Sequence, residues 1–156
     1  MLKMPAPDAA TIGRRSEIAA ALRAIVPGEG VIEAPIALRA FESDGLTAYR
    51  QMPLVAVLPE TVAQVAAVLR YAHDNDIKVV PRGAGTSLSG GALPLADGIL
   101  LGMAKFNRIR DIDYANRCAV VEPGVTNLAI TRAVESRGFY YAPDPSSQIA
   151  CTIGGN

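Results

Sequence analysis

The sequence has no tryptophan, a single histidine and only two cysteines among its 156 residues. Cys118 and Cys151 cannot supply the ligands of a structural zinc site alone, and their separation matches no usual zinc spacing. We therefore predict two reduced thiols and no metal site. An excess of charge is also missing, because 15 Lys and Arg residues balance 15 Asp and Glu residues. A phosphate backbone is attracted by clustered positive charge, so this balance argues against a nucleic acid partner.

Long hydrophobic runs are absent as well. No stretch approaches the roughly 18 apolar residues that a membrane span requires, and residues 1–16 lack the apolar centre of a signal peptide. These absences predict a soluble protein of the cytoplasm without a membrane span. The chain is nevertheless 50% hydrophobic and has a mean hydropathy of +0.23. Its length fits one domain with a real core, which excludes a disordered chain or a disulfide-stapled miniprotein.

The N-terminal third carries one clear structural signal. Ser16 is a candidate N-cap for a helix that places Ile18 and Leu22 on one face, and Pro27 ends this helix. Residues 29–53 show no regular period and contain typical loop residues. We therefore predict a helical lead-in over residues 1–53, followed by the main domain over residues 54–156.

A βαβ unit is predicted at the start of the main domain. Residues 54–58 form a short apolar strand, and Thr61 with Gln64 makes a capping box that begins a helix. The helix ends near Asn75, and residues 77–80 form a second strand that Pro81 ends. A connection of this length implies parallel strands and a right-handed crossover.

The remaining elements are short. Apolar runs at residues 98–103, 109–112 and 118–121 predict a small sheet meander. Thr126 or Asn127 is expected to cap a third helix that ends at Gly138, after which residues 139–141 return to strand. The expected fold class is therefore α+β: a mixed α/β domain with a βαβ unit followed by a small sheet and a helix.

The strongest chemical signal is PRGAGTSLSGG at residues 81–91, directly after a predicted strand. Glycine reaches positive φ and has no side chain, so such a loop brings backbone N–H groups against anionic oxygens. Hydroxyl groups of Thr86, Ser87 and Ser89 add donors, and Arg82 adds positive charge. The segment suits a diphosphate, although a tight strand connection without any ligand is the alternative.

Two well-known phosphate loops do not fit this segment. The dinucleotide fingerprint of the Rossmann fold requires a glycine where Leu88 stands and should open a helix, whereas Pro94 follows soon after. The Walker loop requires Lys and then Ser or Thr after its last glycine, where Gly91 and Ala92 stand. The loop is thus predicted to belong to neither class.

A second unusual segment is YAPDPSSQIACTIGGN at residues 141–156. Prolines stiffen the backbone on both sides of Asp144, and Thr152 lies close to a pair of glycines that leave the backbone unobstructed. Its last residues neither cap a helix nor finish a strand. On composition alone, such an ending fits an interrupted domain as well as a frayed terminus.

Several segments in order resemble the FAD-linked oxidases, whose flavin domain is of the vanillyl-alcohol oxidase or p-cresol methylhydroxylase type. Within that family the likeness is to the branch that contains glycolate oxidase and D-lactate dehydrogenase. It runs from about residue 54 to the last residue. The segments are LPETVAQV (58–65), VVPRGAGTS (79–87), VEPGV (121–125), PDP (143–145) and TIGGN (152–156).

The resemblance implies FAD as a non-covalent cofactor. Backbone amides from Arg82 to Leu88 would wrap its pyrophosphate, and residues 143–156 would pass along the flavin. The turn at residues 122–125 would shape the fold rather than touch the cofactor, and His73, on a predicted helix, would not attach the flavin. The implied cofactor-binding residues are Arg82, Gly83, Ala84, Gly85, Thr86, Ser87, Leu88, Pro143, Asp144, Cys151, Thr152, Gly154, Gly155 and Asn156.

The resemblance also implies an enzyme that oxidises a 2-hydroxy acid, such as glycolate or D-lactate. Members of the family continue beyond the TIGGN motif into a domain that holds substrate, so we expect an N-terminal portion without turnover by itself. Other oxidase subunits or a second copy of the chain are the expected partners. Two alternatives remain: a standalone module for a dinucleotide or diphosphate, and a half-domain whose only role is assembly.

Overall fold

The computed structural model describes residues 4–143 and 145–155. Its centre is a four-stranded sheet made of β1 (Val31–Ile32), β2 (Val55–Val57), β3 (Lys78–Arg82) and β4 (Gly98–Gly102). The strand order is β1-β2-β4-β3, in which β2, β4 and β3 are parallel and β1 is antiparallel to β2. The remaining elements are α1 (Ala9–Gly13), α2 (Arg15–Ile25), α3 (Pro35–Leu38), α4 (Val62–Asp74), β5 (Ile109–Asp113), β6 (Cys118–Val121) and α5 (Asn127–Val134).

The predicted βαβ unit is confirmed. Thr61 Oγ1 accepts a hydrogen bond from Gln64 N at 3.1 Å, and Gln64 Oε1 accepts one from Thr61 N at 3.3 Å, which completes the capping box at the start of α4. Pro81 does not end β3, which continues to Arg82. Because β3 is an edge strand, the N–H that proline lacks leaves no partner unsatisfied within the sheet.

The predicted meander is wrong in one respect. Strand β4 does not pair with β5 but inserts between β2 and β3, so that Ile99 is in register with both Val55 and Val79. Every residue of β4 is buried. A central parallel strand is covered on both faces, which explains its unbroken apolar run. Of the three strands predicted to form the meander, β5 and β6 pair with each other as an antiparallel hairpin.

The core occupies both faces of the sheet because successive residues of a strand point to opposite sides. Ala56 and Leu100 pack with Leu38 on one side, and Phe41 is packed against them. The other side is the larger cluster and includes Ile18, Leu22, Val26, Val55, Val57, Val68, Ile99 and Leu101. The division into a helical lead-in over residues 1–53 and a main domain over residues 54–156 stays a prediction.

Two further predictions about element boundaries are wrong. Ser16 lies inside α2, whose N-cap is Arg14, because α1 already precedes it. Residues 139–141 form no strand; instead, Tyr141 N donates to Thr131 Oγ1 at 3.1 Å.

The third predicted helix is confirmed as α5. Thr126 caps it by accepting a hydrogen bond from Ala129 N. Gly138 ends the 3₁₀ turn that follows, with a left-handed φ of 75°. Within the described ranges, no helix has the length and hydrophobicity that crossing a bilayer would require.

Candidate functional site

A cavity of about 250 Å³ opens where β3 and β4 end. The two strands are in register up to Arg82 and Gly102, and Met103 N then donates to Arg82 O at 2.8 Å. Ligands of open α/β sheets bind outside the carboxyl ends of parallel strands, so this is the expected place for a site. The cavity is lined by Pro81, Arg82, Gly83, Ala84, Gly85, Thr86, Ser87, Gly91, Ala92, Met103, Pro123, Thr152, Gly154 and Gly155.

The first wall of the cavity is the glycine loop, residues 83–88. Gly85 has φ +74°, and a β carbon there would overlap the Arg82 guanidinium. A β carbon on Gly83 would lie 2.5 Å from Thr152 Oγ1. Only glycine therefore allows the loop to lie this close to its surroundings.

The glycine loop offers hydrogen-bond donors to the cavity. Within residues 4–143 and 145–155, the amides of Gly85, Thr86 and Ser87 donate no hydrogen bond to the protein. Successive unpaired backbone N–H groups of this kind form an anion-binding concavity. The chemistry of this donor set fits the diphosphate of a dinucleotide.

The second wall is formed by residues 152–155, which pack on the turn at residues 122–125. Ile153 N donates to Val125 O at 2.9 Å, and Gly154 N donates to Pro123 O at 2.8 Å. A β carbon on Gly154 would lie 2.5 Å from Pro123 Cβ. The turn thus holds the second wall in place, and its Pro123 also lines the cavity.

Thr152 joins the two walls. Its Oγ1 accepts a hydrogen bond from Ala84 N at 3.1 Å, and its backbone forms an isolated antiparallel bridge with Thr126. The glycine loop and the C-terminal segment, which are far apart in sequence, therefore form a single site.

Arg82 lies beneath the glycine loop and is 9% exposed. Its Nη1 donates to Phe41 O at 2.8 Å, and its Nη2 donates to Ser43 O. Burial lowers the pKa of Arg82, while the negative charge of Asp44 acts in the opposite direction. The positive charge expected from the sequence is present at the cavity, but the guanidinium is engaged by these two carbonyls.

Some of the predicted cofactor-binding residues do not line the cavity. Leu88 is 71% exposed, and neither Leu88 nor Pro143 is among the residues that line the cavity. Cys151 is buried, and its Sγ donates to Asn127 Oδ1 at 3.5 Å. Cys151 and the exposed Cys118 are both free thiols. Predicted residues Asp144 and Asn156 lie outside the described residues.

The cavity also has lining residues that the sequence motifs did not predict. Met103 directly follows β4, so its place at a carboxyl end could have been predicted had β4 been assigned to the main sheet. Gly91 and Ala92 end the glycine-rich segment itself. No local sequence signal pointed to the contacts of Arg82 with Phe41 and Ser43, which come from the segment without a regular period.

Comparison with known proteins identifies the relatives of this chain. Glycolate oxidase subunit GlcD of Escherichia coli (strain K12) is 54% identical over 142 residues, which are 91% of this chain and 28% of that protein. D-lactate dehydrogenase of Anaerostipes hadrus is 34% identical over 117 residues, which are 74% of this chain and 24% of that protein. The chain therefore spans only about a quarter of the length of each of these relatives.

A solved structure and a family model agree with this likeness. The crystal structure of p-cresol methylhydroxylase with substrate bound matches 81% of this chain and 25% of that chain, with a TM-score of 0.69 and 25% identity. The resemblance and the mixed α/β fold predicted from the motifs are thus confirmed. The model described as an FAD binding domain matches residues 53–156, and the chain belongs to this family of FAD binding domains.

Proposed function

We propose that this chain provides the FAD-binding part of an oxidoreductase that acts on a 2-hydroxy acid, with glycolate and D-lactate as the first candidates. The observation that carries the proposal is the meeting of two glycine-rich segments at one cavity, where the amides of Gly85, Thr86 and Ser87 donate to no other described residue. The names of the relatives, glycolate oxidase subunit GlcD and D-lactate dehydrogenase, support the substrate class.

The chain's own part in this function is to hold the cofactor. The glycine loop would bind the diphosphate through backbone amides, and the hydroxyl groups of Thr86 and Ser87 add donors beside them. The second wall, with Thr152 and Gly155, would contact the rest of the dinucleotide. When bound, FAD supplies the acceptor of a hydride equivalent, and the protein supplies its position and surroundings.

The FAD in this proposal is held without a covalent bond. His73 is exposed near the end of α4 and does not line the cavity. Cys151 is buried against Asn127 and does not line it either. After denaturation and precipitation of the loaded protein, we therefore expect the flavin to stay in solution; yellow protein in the pellet would contradict this.

Partners and location complete the proposal. One relative is named a subunit of glycolate oxidase, which supports association with other chains. The two free thiols suit a reducing compartment and support a cytoplasmic location. We expect no oxidation of glycolate or D-lactate by this chain alone with an artificial electron acceptor, and substantial FAD-dependent turnover would overturn that expectation.

A binding titration tests the cofactor assignment. The chain is titrated with FAD, FMN and ADP, with flavin fluorescence as the signal and ADP followed by competition. Because only FAD combines the diphosphate, the adenosine and the flavin, we expect it to bind at least about tenfold more tightly than FMN or ADP, or about 1.4 kcal/mol. Equal affinity for ADP would indicate a general diphosphate module, and no binding by the folded chain would refute the proposal.

A further inference from the structure

Residues 41–46, here called the brace, contact the glycine loop from below. The guanidinium of Arg82 donates to Phe41 O at 2.8 Å and also to Ser43 O. Gly85 lies against the same guanidinium so closely that a β carbon would overlap it. The brace therefore holds Arg82, and Arg82 in turn supports the backbone of the loop at Gly85.

The brace also touches the loop directly. Leu46 N donates to Ser87 O at 3.1 Å and to Asp44 Oδ1 at 2.9 Å. A β carbon on Gly45 would lie 2.7 Å from Thr86 O and 2.9 Å from Ser87 O. The two backbones are thus in close contact at Thr86 and Ser87, whose amides donate no hydrogen bond to the other described residues.

Charge is buried between the brace and the loop. Asp44 is 6% exposed and Arg82 is 9% exposed. Asp44 Oδ2 accepts no hydrogen bond from the described residues. An isolated buried ion is costly, so each of these opposite charges makes the burial of the other less unfavourable. Asp44 and Arg82 thus form a buried pair of opposite charges behind the glycine loop, which has mostly small side chains.

The brace is anchored to the sheet. Phe41 packs against the smaller of the two core clusters, which is formed by Leu38, Ala56 and Leu100 on one side of the sheet. The position of the brace is therefore set by the same core that positions β4. The glycine loop itself has no apolar side chain in either core cluster.

We propose that the brace positions the glycine loop for the dinucleotide, with Asp44 and Arg82 as positioning residues, so that cofactor capture depends on residues ahead of the matched range 53–156. This inference rests on the proposed function and names a part of the same site. The brace acts through the loop backbone and does not itself contact the cofactor.

Substitution of Gly45 tests the brace. Gly45→Ala forces the brace away from Thr86 and Ser87, so we expect the Kd for FAD to rise at least about tenfold, the scale on which one lost hydrogen bond acts. Gly13→Ala is the matched control, because a β carbon on Gly13 meets nothing within 4 Å and Gly13 does not line the cavity. Circular dichroism and thermal unfolding without FAD report the fold of each variant.

Asp44→Asn separates charge from packing. The asparagine keeps an oxygen for Leu46 N but removes the charge that accompanies Arg82. We expect a chain that stays folded at the titration temperature but binds FAD about tenfold more weakly. A merely structural role would lower the unfolding temperature of the free chain and leave the Kd measured well below it unchanged. Unchanged Kd in both folded variants would overturn the proposal.

Hydrogen exchange on the unsubstituted chain gives a second test that requires no variant to fold. We expect saturating FAD to slow exchange at residues 42–46 as well as at residues 83–88, because Leu46 N donates to Ser87 O. Protection of the loop without protection of the brace would contradict the inference while leaving the proposed function intact. No FAD binding by the unsubstituted chain would refute both.

Discussion

The two walls of the cavity are held by different means. The glycine loop is supported by the buried side chain of Arg82 and by the brace, with a left-handed residue at Gly85. Residues 152–155 are held by backbone hydrogen bonds to the turn at residues 122–125. The first wall therefore depends on the side chain of Arg82 and on the brace, whereas the second depends mainly on backbone contacts with the turn.

The largest effect is expected for Gly85→Ala, which attacks the first wall. Alanine would be strained at φ +74° and would displace the Arg82 guanidinium, so we expect a loss of about 1–3 kcal/mol in the free energy of unfolding. We also expect FAD binding to weaken by about a hundredfold, since the loop amides would move. Chemical denaturation and flavin titration measure the two quantities. Near-normal values for both would show that the first wall is adaptable.

A smaller effect on FAD binding is expected for Gly154→Ala in the second wall. The new β carbon would lie 2.5 Å from Pro123 Cβ and 3.1 Å from Pro123 O. We expect a loss of about 1–3 kcal/mol in the free energy of unfolding, as for overpacked sites, and FAD binding weakened less than by Gly85→Ala. Gly155→Ala is the matched neighbour, because its β carbon meets nothing within 4 Å. Equal destabilisation by both substitutions would contradict the packing argument.

The link between the walls is tested at Thr152. Thr152→Val removes the oxygen that accepts from Ala84 N, so we expect a loss of about 1 kcal/mol in the free energy of unfolding. Thr152→Ser keeps the oxygen and is expected to retain more of the affinity for FAD. If serine and valine behave alike in the titration, the hydrogen bond does not join the walls.

The smallest effect is a pH dependence confined to the second wall. The pKa of Glu122, which begins the turn, is lowered by the hydrogen bond from Arg108 N and further by Arg110. A pKa lower in the folded chain means that the unfolded chain takes up the proton first as pH falls. The stabilisation is therefore present above the usual range of glutamate, about pH 4.3, and is lost below it.

Glu122→Gln is expected to flatten the fall of the unfolding temperature on acidification in this range, and Glu29→Gln serves as a comparison at an exposed glutamate. Thermal unfolding scans at a series of pH values measure the slope. An unchanged slope in Glu122→Gln would mean that the turn does not respond to this carboxylate.

Local signals predicted the elements whose formation depends on near neighbours. The capping box of Thr61 and Gln64 predicted the start of α4, and Thr126, one of two N-cap candidates, marks the start of α5. The glycine-rich segment predicted a loop after β3 with positive φ and closely approaching backbone, because glycine is the residue type that allows both.

Long-range pairing left no such trace. The insertion of β4 between β2 and β3 depends on which strands meet in space, and a buried apolar run does not specify its neighbours. The same applies to the brace: Phe41 and Ser43 contribute backbone carbonyls to Arg82, and any residue type supplies a carbonyl. Contacts to backbone atoms of residues 39 or more positions away in the sequence therefore cannot be predicted from a sequence motif.

The central claim, that FAD binds at the carboxyl ends of β3 and β4 through the glycine loop, is tested most directly by amide chemical shifts. Two-dimensional nitrogen–proton spectra of the labelled chain are recorded with increasing FAD. We predict the largest shifts at Gly85, Thr86 and Ser87, followed by residues 152–155. The largest shifts in the hollow lined by Tyr114 and Phe139, between the β5–β6 hairpin and α5, would contradict the account.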